Sequence, residues 1–269
     1  MQYQQELFCG SDHQPRSKKL DVGVSHRTPG KHAALDAFLG KQAGVASVMF
    51  RDKTFHIIDC TAGDGESSDF SRNTSPGIIE KHSQWLSGRG VKTNVSLYEK
   101  SAKNFAKLKN KTSLYVENQD AMLAPVSWNQ DDLLFISNDP NTIESWALPL
   151  ALNHAPKLTT VFSTLGCNVG GLKRLPIENR RLWFDHVKKQ ISLAQKWHDV
   201  LIVTLDGDAA QWAYLVNSPD KWRDELEKSF IKAFNFYEKG LSMAWHNRDN
   251  ERFRDITNHL FLTKKELGI

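Results

Sequence analysis

Short apolar runs alternate with stretches of helical period over most of the chain, from residue 54 to about residue 216. TFHIIDC, NVSLYEK, SLYVENQD, DLLFISND and LTTVFST read as five strands. Between them SPGIIEKHSQWLSGRG begins near Pro76 and stops at Gly88 or Gly90, with proline in the first turn and glycine at the end, as helices do. SAKNFAKLKNK is a basic amphipathic helix, IESWALPLALNHAP a helix carrying Pro149, and NRRLWFDHVKKQISLAQKW a longer one. DVLIVTLDGDAAQWAYLVNSP is two strands around Asp206-Gly207-Asp208. Strands separated by helices pair in parallel through right-handed crossovers. The expected fold class is therefore α/β, a Rossmann-like, doubly wound and mostly parallel sheet of about seven strands with an antiparallel last strand. Ligands of such sheets sit at the carboxyl ends of the strands, near the switch in strand order.

Around this core, residues 1–31 read as an irregular cationic arm with Arg16, Lys18, Lys19, Arg27 and Lys31. KHAALDAFLGKQ puts Ala34, Leu35, Phe38 and Leu39 at helical spacing and leads into a core domain, 32–218. DKWRDELEKSFIKAFNFYEKG and NERFRDITNHLFLTKKEL make 219–269 a C-terminal helical extension. The 269 residues carry a formal net charge of +4, which permits an anionic partner without demanding one. The three cysteines, Cys9, Cys60 and Cys167, are scattered and form neither a disulfide framework nor a zinc knuckle. His26, His32, His154 and His186 lack metal-ligand spacing, so no metal is expected. No signal peptide or membrane span is read, and a cytoplasmic location is expected.

The first strand ends on Asp59 and breaks into a turn, CTAGDGES. Gly63 and Gly65 suit a backbone that passes close to a ligand. A nucleoside triphosphate wants a lysine after the glycines, and none follows Gly65. A dinucleotide wants a third glycine, and Asp64 and Glu66 would repel its pyrophosphate. S-adenosylmethionine (SAM) has no phosphate and carries an ammonium, so acids beside the turn favour it. Alone, such a turn is as readily an ordinary strand-to-helix connection. The later strands add to it. Glu99 ends the second strand, where a carboxylate can accept both ribose hydroxyls. Asp120 ends the third, where it can accept the adenine amino group, with Ala121 and Met122 as apolar neighbours. The fourth ends in Asn138, Asp139, Pro140 and Asn141, beside the transferable methyl. The expected cofactor set is thus Asp59, Thr61, Ala62, Gly63, Gly65, Glu99, Asp120 and Ala121.

This set resembles the class I SAM-dependent methyltransferases over residues 55–142: IIDCTAGDG the first motif, Glu99 the second, Asp120 the third and NDPN the fourth. The order HRTPGKHAALDAFL, IIDCTAGDGE, SPGIIE, LYEKSAKNFAKL, LLFISNDPN is also similar to the three-Cys-motif partner protein family, with Thr61 where that family has phenylalanine. The fourth motif resembles the Asp-Pro-Pro-aromatic pattern of amino-methyltransferases of DNA and RNA, but Asn141 and Thr142 stand in place of its last two positions. The stacking aromatic for a flipped base is thereby lost unless Trp146 or Trp183 substitutes.

The resemblance implies methyl transfer, with a nucleic-acid base amino group as the expected acceptor. Asp139 and the Pro140 carbonyl would accept from the attacking amine, with Asn138 and Asn141 beside them. For a hydroxyl acceptor Asp139 would serve as general base. LGCNVGGLKRLPIENRR, following the fifth strand, supplies Lys173, Arg174 and Arg180 as a phosphate-meeting loop, a reading equally balanced by a plain solvated loop. Two other readings stand beside it: a non-catalytic SAM-, nucleotide- or partner-protein-binding module, and a small-molecule or protein methyltransferase.

Overall fold

A computed structural model describes residues 28–66, 74–121, 128–139, 156, 158–163, 199–205, 211–216, 241–245 and 251. Its elements are α1 (Thr28–Met49), β1 (Thr54–Asp59), α2 (Ser75–Ser87), β2 (Lys92–Tyr98), α3 (Ala102–Lys109), β3 (Tyr115–Glu117), β4 (Leu133–Asn138), β5 (Leu158–Ser163), β6 (Asp199–Leu205), β7 (Gln211–Val216) and β8 (Leu241–Trp245). The strands form one sheet in the order β3-β2-β1-β4-β5-β7-β6-β8. β1 to β5 pair in parallel. β7 runs antiparallel to both β5 and β6, and β8 antiparallel to β6. The sheet therefore has eight strands where the sequence suggests seven. The additional strand, β8, falls in the segment expected to be wholly helical, and it joins the sheet beyond residue 218. Five residues between two long helical patterns carry too little periodicity to announce a strand.

The chain winds outward from β1 through β2 to β3, then crosses back to lay β4 on the other side of β1. The switch point is therefore the crevice between the carboxyl ends of β1 and β4. β1 and β4 are buried on both faces, as central parallel strands are. Phe55, Ile57 and Phe135 meet Phe38 and Leu39 of α1 and Ile79 of α2 in one core, all essentially without exposure. Phe38 also packs against Phe162 of β5, ring centroids 5.7 Å apart.

α1 is longer than KHAALDAFLGKQ suggests, because neither Gly40 nor Gly44 ends it. At Gly40 a Cβ would stand 3.0 Å from the His82 ring, so the glycine lets α2 approach. There Asp36 accepts from His82 (2.6 Å) and Lys81 (3.0 Å), and the His82 hydrogen bond is the main cause that holds its carboxyl below the ordinary value. α2 has Pro76 in its first turn and Gly88 as its C-cap. α3 is capped by Ser101, whose hydroxyl accepts from Asn104 N–H (3.4 Å). Among the described residues no helix is long and apolar enough to cross a membrane. The expected helices at IESWALPLALNHAP, NRRLWFDHVKKQISLAQKW and beyond residue 219 lie outside the described residues, apart from β8 and residue 251.

Candidate functional site

The turn after β1 is laced to the ends of three strands. Cys60 N–H donates to Ser137 O (2.8 Å) of β4, and Ala62 N–H to Tyr98 O (3.1 Å) of β2. Asp139 N–H donates to the Thr61 hydroxyl (2.8 Å). Gly63 N–H donates to Glu99 Oε2 (2.9 Å), and Thr61 N–H to Asp59 Oδ1 (3.2 Å). Asp59, Thr61, Ala62, Gly63, Glu99 and Asp139 thus come together at the switch point. Asn138 is fully buried beside Asp139. Asp120 stands just beyond β3, close enough to the partly buried Cys60 for its charge to act on that thiol. Burial first, then the charges of Asp59 and Asp120, push the Cys60 thiol well above its ordinary value, so it is no nucleophile at neutral pH. Ala121 is buried next to Asp120.

Asp59 is the most strained member electrostatically. Its side chain has no exposure, and burial is the main reason its carboxyl is pushed up to about 6. A hydrogen bond from Ser75, at the start of α2, and the one from Thr61 N–H pull the other way. Asp139 and Glu99 are negative neighbours and push it further up. Oδ2 is buried with no hydrogen-bond partner among the described residues. A buried carboxylate oxygen left unmatched among other acids suits a cationic donor such as an ammonium.

The two glycines divide the work that the sequence assigns to both. Each has φ +69°, a conformation that side chains disfavour. At Gly63 nothing among the described residues lies within 4 Å of where a Cβ would stand, which suits a face of the turn open to a ligand. At Gly65 a Cβ would meet Leu108 Cδ1 at 3.0 Å, so Gly65 seats the turn on α3. The acids of the turn also need correcting. Asp64 accepts from Lys107 (3.1 Å), and Glu66 from Lys107 (3.1 Å) and Lys111 (2.6 Å). Paired with these lysines, Asp64 and Glu66 present a pyrophosphate with less net negative charge than the sequence suggests.

Pro140, Asn141, Trp146, Lys173, Arg174 and Arg180 lie outside the described residues. Two features escape the sequence reading: that the Thr61 hydroxyl ties the turn to Asp139, and that Ser75 acts to lower the Asp59 carboxyl. A Ser-Pro pair opening the helix that follows a strand-end acid is the signal that could have suggested the second. Among the described residues no three His, Cys, Asp or Glu side chains group as a metal site would require.

No protein-family model and no curated protein matches the chain. Solved structures similar to it include SAM-dependent methyltransferases, at remote likeness. The plantazolicin methyltransferase BpumL, solved in complex with SAH, aligns over 81% of this chain and 84% of its own, at 12% identity and TM-score 0.44. A Listeria monocytogenes protein described as a class I S-adenosylmethionine-dependent methyltransferase aligns over 81% and 67%, at 12% identity and TM-score 0.41. A Methanococcus maripaludis protein described as an S-adenosyl-L-methionine-dependent methyltransferase aligns over 77% and 98%, at 13% identity and TM-score 0.35. Likeness at this distance assigns no chemistry, which has to come from the residues themselves.

Proposed function

We propose that the chain is a SAM-dependent methyltransferase whose cofactor lies across the carboxyl ends of β1, β2, β3 and β4. The observation that carries this reading is the buried, unmatched Asp59 Oδ2 beneath a turn whose Gly63 face is open. Asp59 would hold the ammonium of the methionine moiety, Glu99 the ribose hydroxyls, and Asp120 the adenine amino group against Ala121. Thr61, Ala62 and Gly63 would shape the floor, and Gly65 supports it from behind. When bound, SAM supplies an electrophilic methyl on a sulfonium. The chain's own task is positioning and charge. Asp139 accepts a hydrogen bond from the incoming N–H, so its carboxylate stabilises positive charge as it grows on nitrogen. The Thr61 hydroxyl fixes the Asp139 backbone.

The acceptor we propose is a base amino group of a nucleic acid. Asp139-Pro140 supports it, as do Lys173, Arg174 and Arg180 for phosphate and Trp146 for stacking, together with the cationic arm. The run of motifs from HRTPGKH to NDPN supports the narrower kinship with three-Cys-motif partner proteins.

The test is calorimetric titration with SAM, followed by labelled SAM offered to fractionated cell extract. SAM binding is expected, with label in the nucleic-acid fraction. Asp139→Ala is expected to keep binding and lose transfer. Absence of SAM binding ends the reading. Binding with label in no fraction leaves a non-catalytic module, which the replacement of the motif's aromatic by Asn141 and Thr142 would then explain. Label in protein or small molecules alone replaces the acceptor and keeps the enzyme.

A further inference from the structure

Glu99 makes more bonds within the protein than a residue that only awaits a ligand needs. Its Oε2 accepts from Gly63 N–H (2.9 Å) and its Oε1 from Ser101 N–H (2.7 Å). Its backbone is fixed as well: Glu99 N–H donates to Glu117 O (3.1 Å), and Glu99 O accepts from Asn118 Nδ2 (2.8 Å). The residue is 9% exposed. Gly63 and Ser101 belong to different segments, the turn after β1 and the residue that caps α3. We infer that Glu99 is a positioning residue, whose carboxylate clamps the glycine turn to the first turn of α3 before any ligand arrives.

The chemistry suits the role. Hydrogen bonds from backbone N–H groups to an ionised carboxylate are about twice as strong as neutral ones. Gly63 adopts its left-handed conformation without steric cost, so hydrogen bonding is what fixes the turn in place, and the Glu99 bond is part of it. A carboxylate has about four acceptor positions, so two backbone donors leave others pointing in fixed directions. On the SAM reading, a ribose diol would then meet an acceptor already oriented. The clamp itself does not depend on that reading.

The experiment is amide hydrogen exchange by NMR on the full chain without ligand, comparing wild type with Glu99→Gln. Glutamine offers one accepting oxygen, so at least one of the two amides loses its partner. Exchange at Gly63, Ser101 or both is expected to quicken roughly tenfold or more, while Ile57 and Phe135 in the core stay unchanged. Protection within twofold of wild type at both amides overturns the inference. A rise spread evenly over the sheet overturns it too, because it marks global destabilisation and not a clamp. If Glu99→Gln does not fold, Glu99→Asp keeps the charge one methylene short of reach, and the same criteria apply to the same amides. With SAM absent throughout, a failed clamp leaves the cofactor reading standing, and a failed cofactor leaves the clamp.

Discussion

The two ends of the sheet both bury an aspartate and treat it in opposite ways. At the amino ends, Asp132, just before β4, faces His56 of β1 (Nε2 to Oδ2, 3.0 Å). It also accepts from Thr54 N–H (3.1 Å) and Asn129 N–H (3.2 Å). Asn94 of β2 reaches the other ring nitrogen of His56 (3.4 Å), and Trp128 meets the ring edge-on. Burial alone would raise the Asp132 carboxyl, but the hydrogen bonds outweigh it and hold the group below its ordinary value. At the carboxyl ends, Asp59 is buried more deeply, has fewer donors and has acids for neighbours, and its carboxyl is pushed up. One end is a fastener complete in itself. The other is a cluster of like charges that a cation would complete, and this asymmetry is a physical ground for placing the ligand at one edge and not the other.

The largest expected effect lies at the complete end. Asp132→Ala strips partners from His56 and from two backbone N–H groups, and should cost about 3–5 kcal/mol of unfolding free energy. Because the folded carboxyl titrates below its ordinary value of 3.8, its contribution is full above that value and is lost as pH falls through the lower folded value. Denaturant unfolding across pH 3 to 8 checks both statements. A loss under about 1 kcal/mol would break the contrast from this side.

Asp59→Asn should have the opposite sign. A carboxyl raised from 3.8 to about 6 makes the folded state bind protons more tightly than the unfolded. Stability from this group is therefore present at low pH and is lost as pH rises from 3.8 to about 6. Removing the charge should stabilise the protein without SAM by about 3 kcal/mol at pH 8 and by little at pH 4, while abolishing SAM binding. Destabilisation at pH 8 as large as that of Asp132→Ala would erase the difference between the two ends. In the wild type, SAM binding should weaken by up to about tenfold per unit below pH 6, as Asp59 takes up its proton. Titrations at pH 5, 6 and 7 read this out, and a flat profile would remove Asp59 from the cation's contacts.

Much of the carboxyl edge was legible in the sequence because it is local: Asp59, Glu99, Asp120 and Asp139 each close or follow an apolar run, and the period of two marks where the runs end. The amino edge was not. His56 and Asp132 are 76 residues apart, and only the parallel register of β1 beside β4 brings them together. A histidine inside an apolar strand and an aspartate one residue before another strand were the traces available, and both read as ordinary. The pairing of Asp64 and Glu66 with Lys107 and Lys111 escaped for the same reason. Sequence shows six acidic residues near one edge but not that Asp64 and Glu66 already face lysines, and that pairing changes the charge the edge offers.

The smallest effect sharpens the comparison within the carboxyl edge itself. Gly63 and Gly65 share φ +69°, so alanine at either should cost about 1 kcal/mol from backbone conformation. They differ in what the methyl meets. At Gly65 it presses on Leu108 Cδ1, a side-chain tip that can give, so Gly65→Ala should lose somewhat more stability and leave ligand affinity nearly intact. At Gly63 it projects into open space above the turn, so Gly63→Ala should lose less stability and far more affinity for SAM. Paired unfolding and binding measurements on the two variants separate the effects. The backbone term cancels between them, so the remainder isolates the space above Gly63. Equal affinities would mean that the ligand does not enter there, and the open face would then need another occupant.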